Sequence, residues 1–192
     1  MAIREKSKEK RNALLKSTLS LVNNNGFHDA PMSKIAKMAN VSPATIYIYF
    51  ENKRDLINQL YLELKISYTE QAFKAYSENM PVKKAFELIW YNIADYKLKQ
   101  VEEAWFLSQC DNTTMIDEAS RQEGLKHLQP LLDLWERGKK EGIIKNISPY
   151  ILYAYAINSL VFLMNTQKRN LYQLDKKSLD QAFQAAWDSI RI

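Results

Sequence analysis

The chain has 192 residues, 46% of them hydrophobic and 26% charged, with only 4 glycines and 5 prolines. That balance excludes a largely disordered chain and disfavours a loop-rich β fold; it favours helices joined by short turns. A formal charge of +5 sits entirely in residues 1–60, which hold 10 Lys/Arg against 5 Asp/Glu, while residues 61–192 hold 17 of each. A basic first third followed by a neutral remainder points to a polyanion partner for that third, with a solvated basic surface as the plain alternative.

A helix is expected over 4–25, where Leu14, Leu15, Thr18, Leu19, Leu21 and Val22 share one side. The segment "NNNGF" should end it, with Gly26 in the left-handed conformation and Phe27 folding back. A second, short helix is expected over 31–39. Pro31 suits its first turn, with Met32, Ile35, Ala36 and Ala39 inward and Ser33, Lys34 and Lys37 outward. The turn "NVS" follows: Asn40 tolerates a left-handed backbone, and Val41 is placed to plug the core. Ser42 as N-cap and Pro43 at the next position open a third helix. On that helix Ile46 and Phe50 point inward. Ala44 and Ile48 then lie opposite, flanked by Thr45 and Tyr47, because each residue turns the helix by about 100°.

Two short helices joined by a three- to four-residue turn read as a helix-turn-helix, whose second helix is sized for the major groove of DNA. Ser33 and the first turn of the third helix, Ser42 included, would then meet bases or backbone. Ala44 and Ile48 suit thymine methyls, and a tyrosine hydroxyl suits a phosphate. The alternative is a three-helix core in which Tyr47 and Tyr49 only shield apolar surface. A fourth helix opens at "NKRDL", with Asn52 as N-cap and Lys53 and Arg54 in the first turn. The helix dipole disfavours cations there unless a phosphate docks on the free N–H groups.

Residues 11–57 resemble the N-terminal domain of the tetracycline-repressor (TetR) family of transcriptional regulators. The resemblance is carried by "GF" at 26–27, "KIAKMANVS" at 34–42, "ATIYIYF" at 44–50 and "NKRDL" at 52–56. It implies an all-α fold, a dimer, a three-helix DNA-binding domain and a C-terminal helical domain that senses a small molecule. It also implies that Ser33, Pro43, Ala44 and Tyr47 reach bases and that Thr45, Tyr49 and Lys53 hold phosphates. The chain departs from the family pattern at three places. Asn40 stands for the usual glycine of the turn, and Ala30-Pro31 replaces a Thr or Ser before the second helix, leaving Asp29 as its expected cap. Tyr49 stands where histidine is common.

The resulting organisation is a DNA-binding domain over 1–52 (helix-turn-helix at 31–50), a linking helix over 53–75 and a ligand-binding and dimerisation domain over 76–192. Further helices are expected at 82–99, 101–111, 117–141, 149–167 and 175–191. Pro81 and Pro149 suit helix starts and Gly142 an end, and Pro130 should kink or split the helix that contains it. The C-terminal part holds all four tryptophans. Aromatic residues at helical spacing form a core first, yet helix-bundle interiors also host apolar ligand pockets. The expected effector pocket is Trp90, Trp105, Cys110, Trp135, Tyr153 and Phe162, with His127 and Asn158 as further polar groups; an aromatic or apolar effector suits it.

The run 150–164 is apolar almost throughout. At 15 residues it is short for a bilayer, so a helix buried on most faces is expected, and no membrane association. Helix 175–191 carries a stripe of Leu179, Ala182, Phe183, Ala186 and Ile190 with Trp187 beside it. These last two helices are expected to form a two-fold four-helix interface with a second subunit; the alternative is that the stripes close a monomer's core. A single cysteine allows no internal disulfide, and no apolar stretch follows the basic N-terminus, so a cytoplasmic location is expected. No catalytic motif, metal-ligand spacing or cofactor loop is present, which leaves an enzyme as a remote reading. The expected partners are a double-stranded palindromic operator, a small-molecule effector and a second copy of the chain. The expected function is ligand-responsive repression, with a protein-interaction module that has lost DNA as the alternative.

Overall fold

The computed structural model describes residues 2–111 and 113–192. Among them are eleven helices and no strand beyond one isolated antiparallel bridge, Ile144 with Arg191. The helices are α1 (Ala2–Asn25), α2 (Met32–Met38), α3 (Pro43–Tyr49), α4 (Lys53–Ala72), α5 (Val82–Lys99) and α6 (Val101–Cys110). They continue with α7 (Glu118–Lys126), α8 (Gln129–Lys140), α9 (Pro149–Ala156), α10 (Ser159–Lys168) and α11 (Lys176–Ile190). The chain divides into two compact units: Met1–Ile66 with Glu102–Gly124, and Ser67–Val101 with Leu125–Ile192.

In the first unit, α1, α2 and α3 pack on one another. Leu14, Leu15, Leu21 and Val22 of α1 are buried, as are Ile35 and Ala36 of α2 and Ile46 of α3. Thr18 is buried too, and its hydroxyl donates back to the Leu14 carbonyl at 2.8 Å, so no polar group is stranded. Gly26 closes α1 at φ +82°, with its N–H on the Val22 carbonyl at 2.8 Å. Phe27 meets the ring of Phe106 at 5.8 Å. The loop before α7 is held by buried Asn58, whose amide donates to the carbonyls of Arg54 (2.7 Å) and Met115 (2.8 Å) and accepts from Asp117 N–H (3.0 Å).

The second unit is built around α5, where Val82, Ala85, Phe86, Ile89, Trp90, Ile93, Ala94 and Tyr96 are buried. Helices α8, α10 and α11 pack on it. Pro130 splits the expected helix 117–141 as its missing N–H requires: α7 stops at Lys126, and α8 restarts with Pro130 in its first turn. At the far end of α8, Gly142 (φ +68°) lets Ile143 and Ile144 turn back and donate to the Gly138 carbonyl at 2.9 and 3.1 Å.

The expected helix 149–167 is broken into α9 and α10. The N–H groups of Ile157 and Asn158 both donate to the Tyr153 carbonyl, at 2.9 and 2.8 Å, which widens the turn; three-residue-span bonds from Leu160 to Ile157 and from Val161 to Asn158, at 3.1 and 3.0 Å, then restart it. No proline or glycine marks the break, only the polar pair Asn158-Ser159. The segment is also not buried on most faces: Tyr150 is 81%, Tyr155 67% and Phe162 69% exposed. Most of the α11 stripe is buried inside its own unit, while Leu179 and Ala182 are half-buried. Phe183, Ala186, Trp187 and Ile190 are buried, and Phe183 and Trp187 stack against Phe86 at 6.2 and 5.8 Å. For that helix the reading in which the stripe closes a subunit's own core is the one observed. None of the described helices is long and apolar enough to cross a membrane.

Candidate nucleic-acid interface

The site grows from the turn between α2 and α3. Asn40 adopts φ +55°, the left-handed corner anticipated for it, and the Val41 N–H reaches back to the Ala36 carbonyl at 3.0 Å. Val41 itself is only half-buried, so it lines the edge of the core rather than plugging it. Ser42 caps α3: its Oγ accepts from the Thr45 N–H at 3.2 Å and pairs with the Thr45 hydroxyl at 2.8 Å. Pro43 follows in the first turn with its φ already helical. The seven-residue helix is then pinned by two buried anchors, Ile46 and Phe50, and the opposite face is left bare. Tyr47 is 59% and Ile48 76% exposed. Ser33, Lys37, Asn40, Val41, Ser42 and Pro43 line an open cleft of about 520 Å³ beside this face.

The predicted contact residues divide by what they already touch. Ser33, Ser42, Pro43, Ala44 and Tyr47 are exposed, whereas Thr45 and Tyr49 are half-buried. The Tyr49 hydroxyl pairs with Ser7 Oγ of α1 at 3.1 Å. Lys53 donates from Nζ to the His28 carbonyl at 3.1 Å; desolvation pushes its pKa down while nearby Asp29 pushes it up. Its charge is therefore not uncompensated. The α4 N-terminus is also partly capped, by Asn52 Oδ1 accepting from Asp55 N–H at 3.0 Å and Asp55 Oδ2 accepting from Glu51 N–H at 2.9 Å. A first-turn lysine tolerated at small cost therefore stands beside phosphate docking as a reading of that end. The expected cap on α2 is corrected: Pro31 holds the N-cap position without a side-chain hydrogen bond, leaving Asp29 as Lys53's neighbour instead.

Two contributors were not visible in the sequence. Ser7 steadies Tyr49 across 42 residues, and Arg11 lies over the Phe50 ring at 5.6 Å while pairing with Glu63 and Gln59. Neither follows from any local pattern.

The expected effector residues are shared between the two units. Trp105 and Cys110 belong to the first unit; Trp90, Trp135, Tyr153 and Phe162 belong to the second. Burial pushes the Cys110 thiol up, with Asp111 adding to the shift and Lys65 and Arg121 opposing it, so the thiol is neutral at pH 7. Phe162 points outward. Trp90 Nε1 donates to the Ala156 carbonyl at 2.9 Å, whereas the buried Trp135 Nε1 and the Asn165 amide oxygen have no hydrogen-bond partner among the described residues. His127 is half-buried and Asn158 exposed. Among the described residues no three His, Cys, Asp or Glu side chains converge as a metal site would need.

A capped, exposed second helix set on a three-helix core defines a helix-turn-helix DNA-binding regulator. Comparison with known proteins gives the family. Residues 14–60 match "Bacterial regulatory proteins, tetR family", and residues 81–191 match "Tetracyclin repressor-like, C-terminal domain". The chain belongs to the TetR family of transcriptional regulators, DNA-binding proteins and not enzymes.

It is 24% identical to an HTH-type transcriptional regulator of Haemophilus influenzae over 187 residues, 93% of this chain and 94% of the other. A crystal structure of a TetR-family transcription regulator from Marinobacter aquaeolei superposes with a TM-score of 0.91 at 23% identity, covering 98% of each chain. FadR from Bacillus subtilis, solved in complex with stearoyl-CoA, superposes with a TM-score of 0.72 at 20% identity, covering 93% of this chain and 98% of that one.

Proposed function

We propose that this regulator is a ligand-responsive repressor that binds a palindromic operator as a homodimer and leaves it when a small apolar or aromatic effector binds. The observation that carries the reading is the bare face of α3: a helix fastened by Ile46 and Phe50 presents Tyr47 and Ile48 to solvent, with Ser33 and Lys37 beside them. DNA contact is assigned to residues 1–52, through Ser33, Ser42, Pro43, Ala44 and Tyr47 at bases or backbone. Thr45, Tyr49 and Lys53 hold phosphates once their present hydrogen bonds are shared or exchanged. Residues 53–75 link to the effector- and dimer-forming part, 76–192.

The second subunit is assigned to the outward apolar side chains of α9 and α10, namely Tyr150, Ile151, Tyr155 and Phe162, because most of the α11 stripe is already used. The outer face of α11, with Lys177, Asp180, Gln181, Gln184 and Asp188, is polar and suits solvent. The effector is assigned to the second unit. Its interior holds the buried Trp135 N–H and the Asn165 carbonyl oxygen, which a ligand acceptor and donor would satisfy. FadR's stearoyl-CoA is an amphipathic thioester, and only its acyl chain is in keeping with an apolar effector. Effector binding shifts the dimer toward a conformer whose two recognition helices no longer match half-sites about 34–36 Å apart, by no more than its differential affinity for the two conformers.

The test is a salt titration against a duplex selected from a random pool. A dimer making about six to ten phosphate contacts loses about 10³–10⁵ in affinity between 50 and 200 mM salt. Tyr47→Ala is expected to abolish selective binding with helix content and dimerisation unchanged. A flat salt response would replace the repressor reading with that of a protein-interaction module, and wild-type affinity in the variant would remove Tyr47 from the interface.

A further inference from the structure

We infer that this regulator reads its operator chiefly through thymine C5-methyl groups, with Ile48, Ala44 and the Tyr47 ring as the readers. The inference rests on α3 being the DNA-recognition helix and goes on to name the chemical feature that it reads. From Val41 to Phe50 the chain holds no Arg, Lys, Asn, Gln, Asp or Glu. Those are the side chains that pair with base edges in the major groove: Arg or Lys with guanine, Asn or Gln with adenine, Asp or Glu with cytosine.

Most of the remaining hydroxyls of the helix already have a partner within the chain, although Ser42 stays exposed and Thr45 half-exposed. The hydroxyls of Ser42 and Thr45 pair with each other at 2.8 Å, and the Tyr49 hydroxyl pairs with Ser7. On the bare face only the Tyr47 hydroxyl is left, and a lone hydroxyl both donates and accepts, so it discriminates weakly between bases. What the face does offer is carbon: an isoleucine 76% exposed, an exposed alanine, and the body of a tyrosine. Burying them is rewarded only by an apolar partner, and the thymine methyl is the one apolar group that a base pair shows in the major groove. Lys34 and Lys37 stand on α2, and Lys37 lines the cleft beside Ser42 and Pro43 with Ser33; contacts from these side chains do not depend on a thymine methyl, so the exchange of thymidine for deoxyuridine leaves them in place.

The experiment selects duplexes from a random pool with the full-length protein, then remakes the selected site with deoxyuridine in place of thymidine. That exchange removes methyls and leaves every hydrogen-bonding group in place. The expected result is a thymine-bearing half-site whose Kd rises about fourfold per contacted methyl removed, or about sixteenfold for one methyl in each half-site. Ile48→Ala is expected to weaken binding to the thymidine site and to shrink the thymidine-over-deoxyuridine preference, with no change in folding, because Ile48 lies outside the core.

Equal affinity for the two duplexes would overturn the inference, and so would an undiminished preference in Ile48→Ala. Selected half-sites without thymine would overturn it while leaving DNA binding intact. A pool that yields no enriched sequence and no salt-sensitive binding would instead overturn the DNA reading on which it stands.

Discussion

Trp90 and Trp135 make a matched pair in the second unit, and replacing each by phenylalanine isolates what one hydrogen bond does there. Both side chains are fully buried. The substitution removes the same atoms at both sites, so the transfer and cavity costs are similar and largely cancel in the comparison. What differs is the indole N–H. At Trp90 it donates at 2.9 Å to the carbonyl of Ala156, the last residue of α9, where no further helical turn supplies a donor. Trp90→Phe therefore strands a buried acceptor, which costs about 1–3 kcal/mol beyond the cavity. At Trp135 the N–H has no acceptor among the described residues, so Trp135→Phe removes a buried donor whose stranding already costs about 1–3 kcal/mol.

The two variants should thus differ by about 2–6 kcal/mol, with Trp135→Phe close to wild type. Urea unfolding at one protein concentration is the assay, read as midpoint shifts at unchanged slope. For a chain of this size each kcal/mol of that gap corresponds to about 2–4 °C in Tm. Equal losses in the two variants would refute the reasoning, because the Trp135 N–H would then have a partner in solution. The same variant bears on the effector: if the ligand accepts from this N–H, Trp135→Phe weakens effector release of DNA although the protein is no less stable.

Gly138→Ala gains helix propensity of about 1 kcal/mol. Its new Cβ, however, would sit 2.6 and 2.8 Å from Ile144 side-chain atoms and 3.0 Å from Val82 Cγ1. Both neighbours are buried, so overpacking of about 1–3 kcal/mol wins, and thermal melting should show a lower Tm. Asp117 caps α7 by accepting from the Ser120 N–H at 2.7 Å, and this backbone bond, with the Ser120 side chain and Arg54 assisting, holds its carboxyl below the usual range. A depressed folded pKa gives stability that is present above the unfolded value of about 3.9 and is lost as pH falls through the folded one. The advantage of wild type over Asp117→Ala should therefore be constant at neutral pH and shrink below about pH 4 in acid titrations followed by circular dichroism. Tyr155→Glu, on the exposed apolar face of α9, should give a monomer in sedimentation experiments with helix content retained; a persistent dimer would move the interface elsewhere.

The sequence by itself determined whatever depends on near neighbours. Ser42 three residues before Thr45, proline in the next position, an asparagine at the left-handed corner and apolar residues four apart specify α3 and its two faces through local hydrogen bonds and helical periodicity. Pro130 and Gly142 acted in the same way on α8. Only the tertiary structure decided which groups found distant partners. The α11 stripe reads equally well as an interface or a core until α5 and α9 are seen against it. Lys53 and Tyr49 look available for phosphate until His28 and Ser7 are in place. The break in 149–167 depends on two N–H groups sharing one carbonyl, and Phe162 turned outward after it. The physical reason is that periodicity states which face of a helix must leave water, whereas the identity of the covering surface is set by contacts between residues far apart in the chain, for which one sequence carries no local mark.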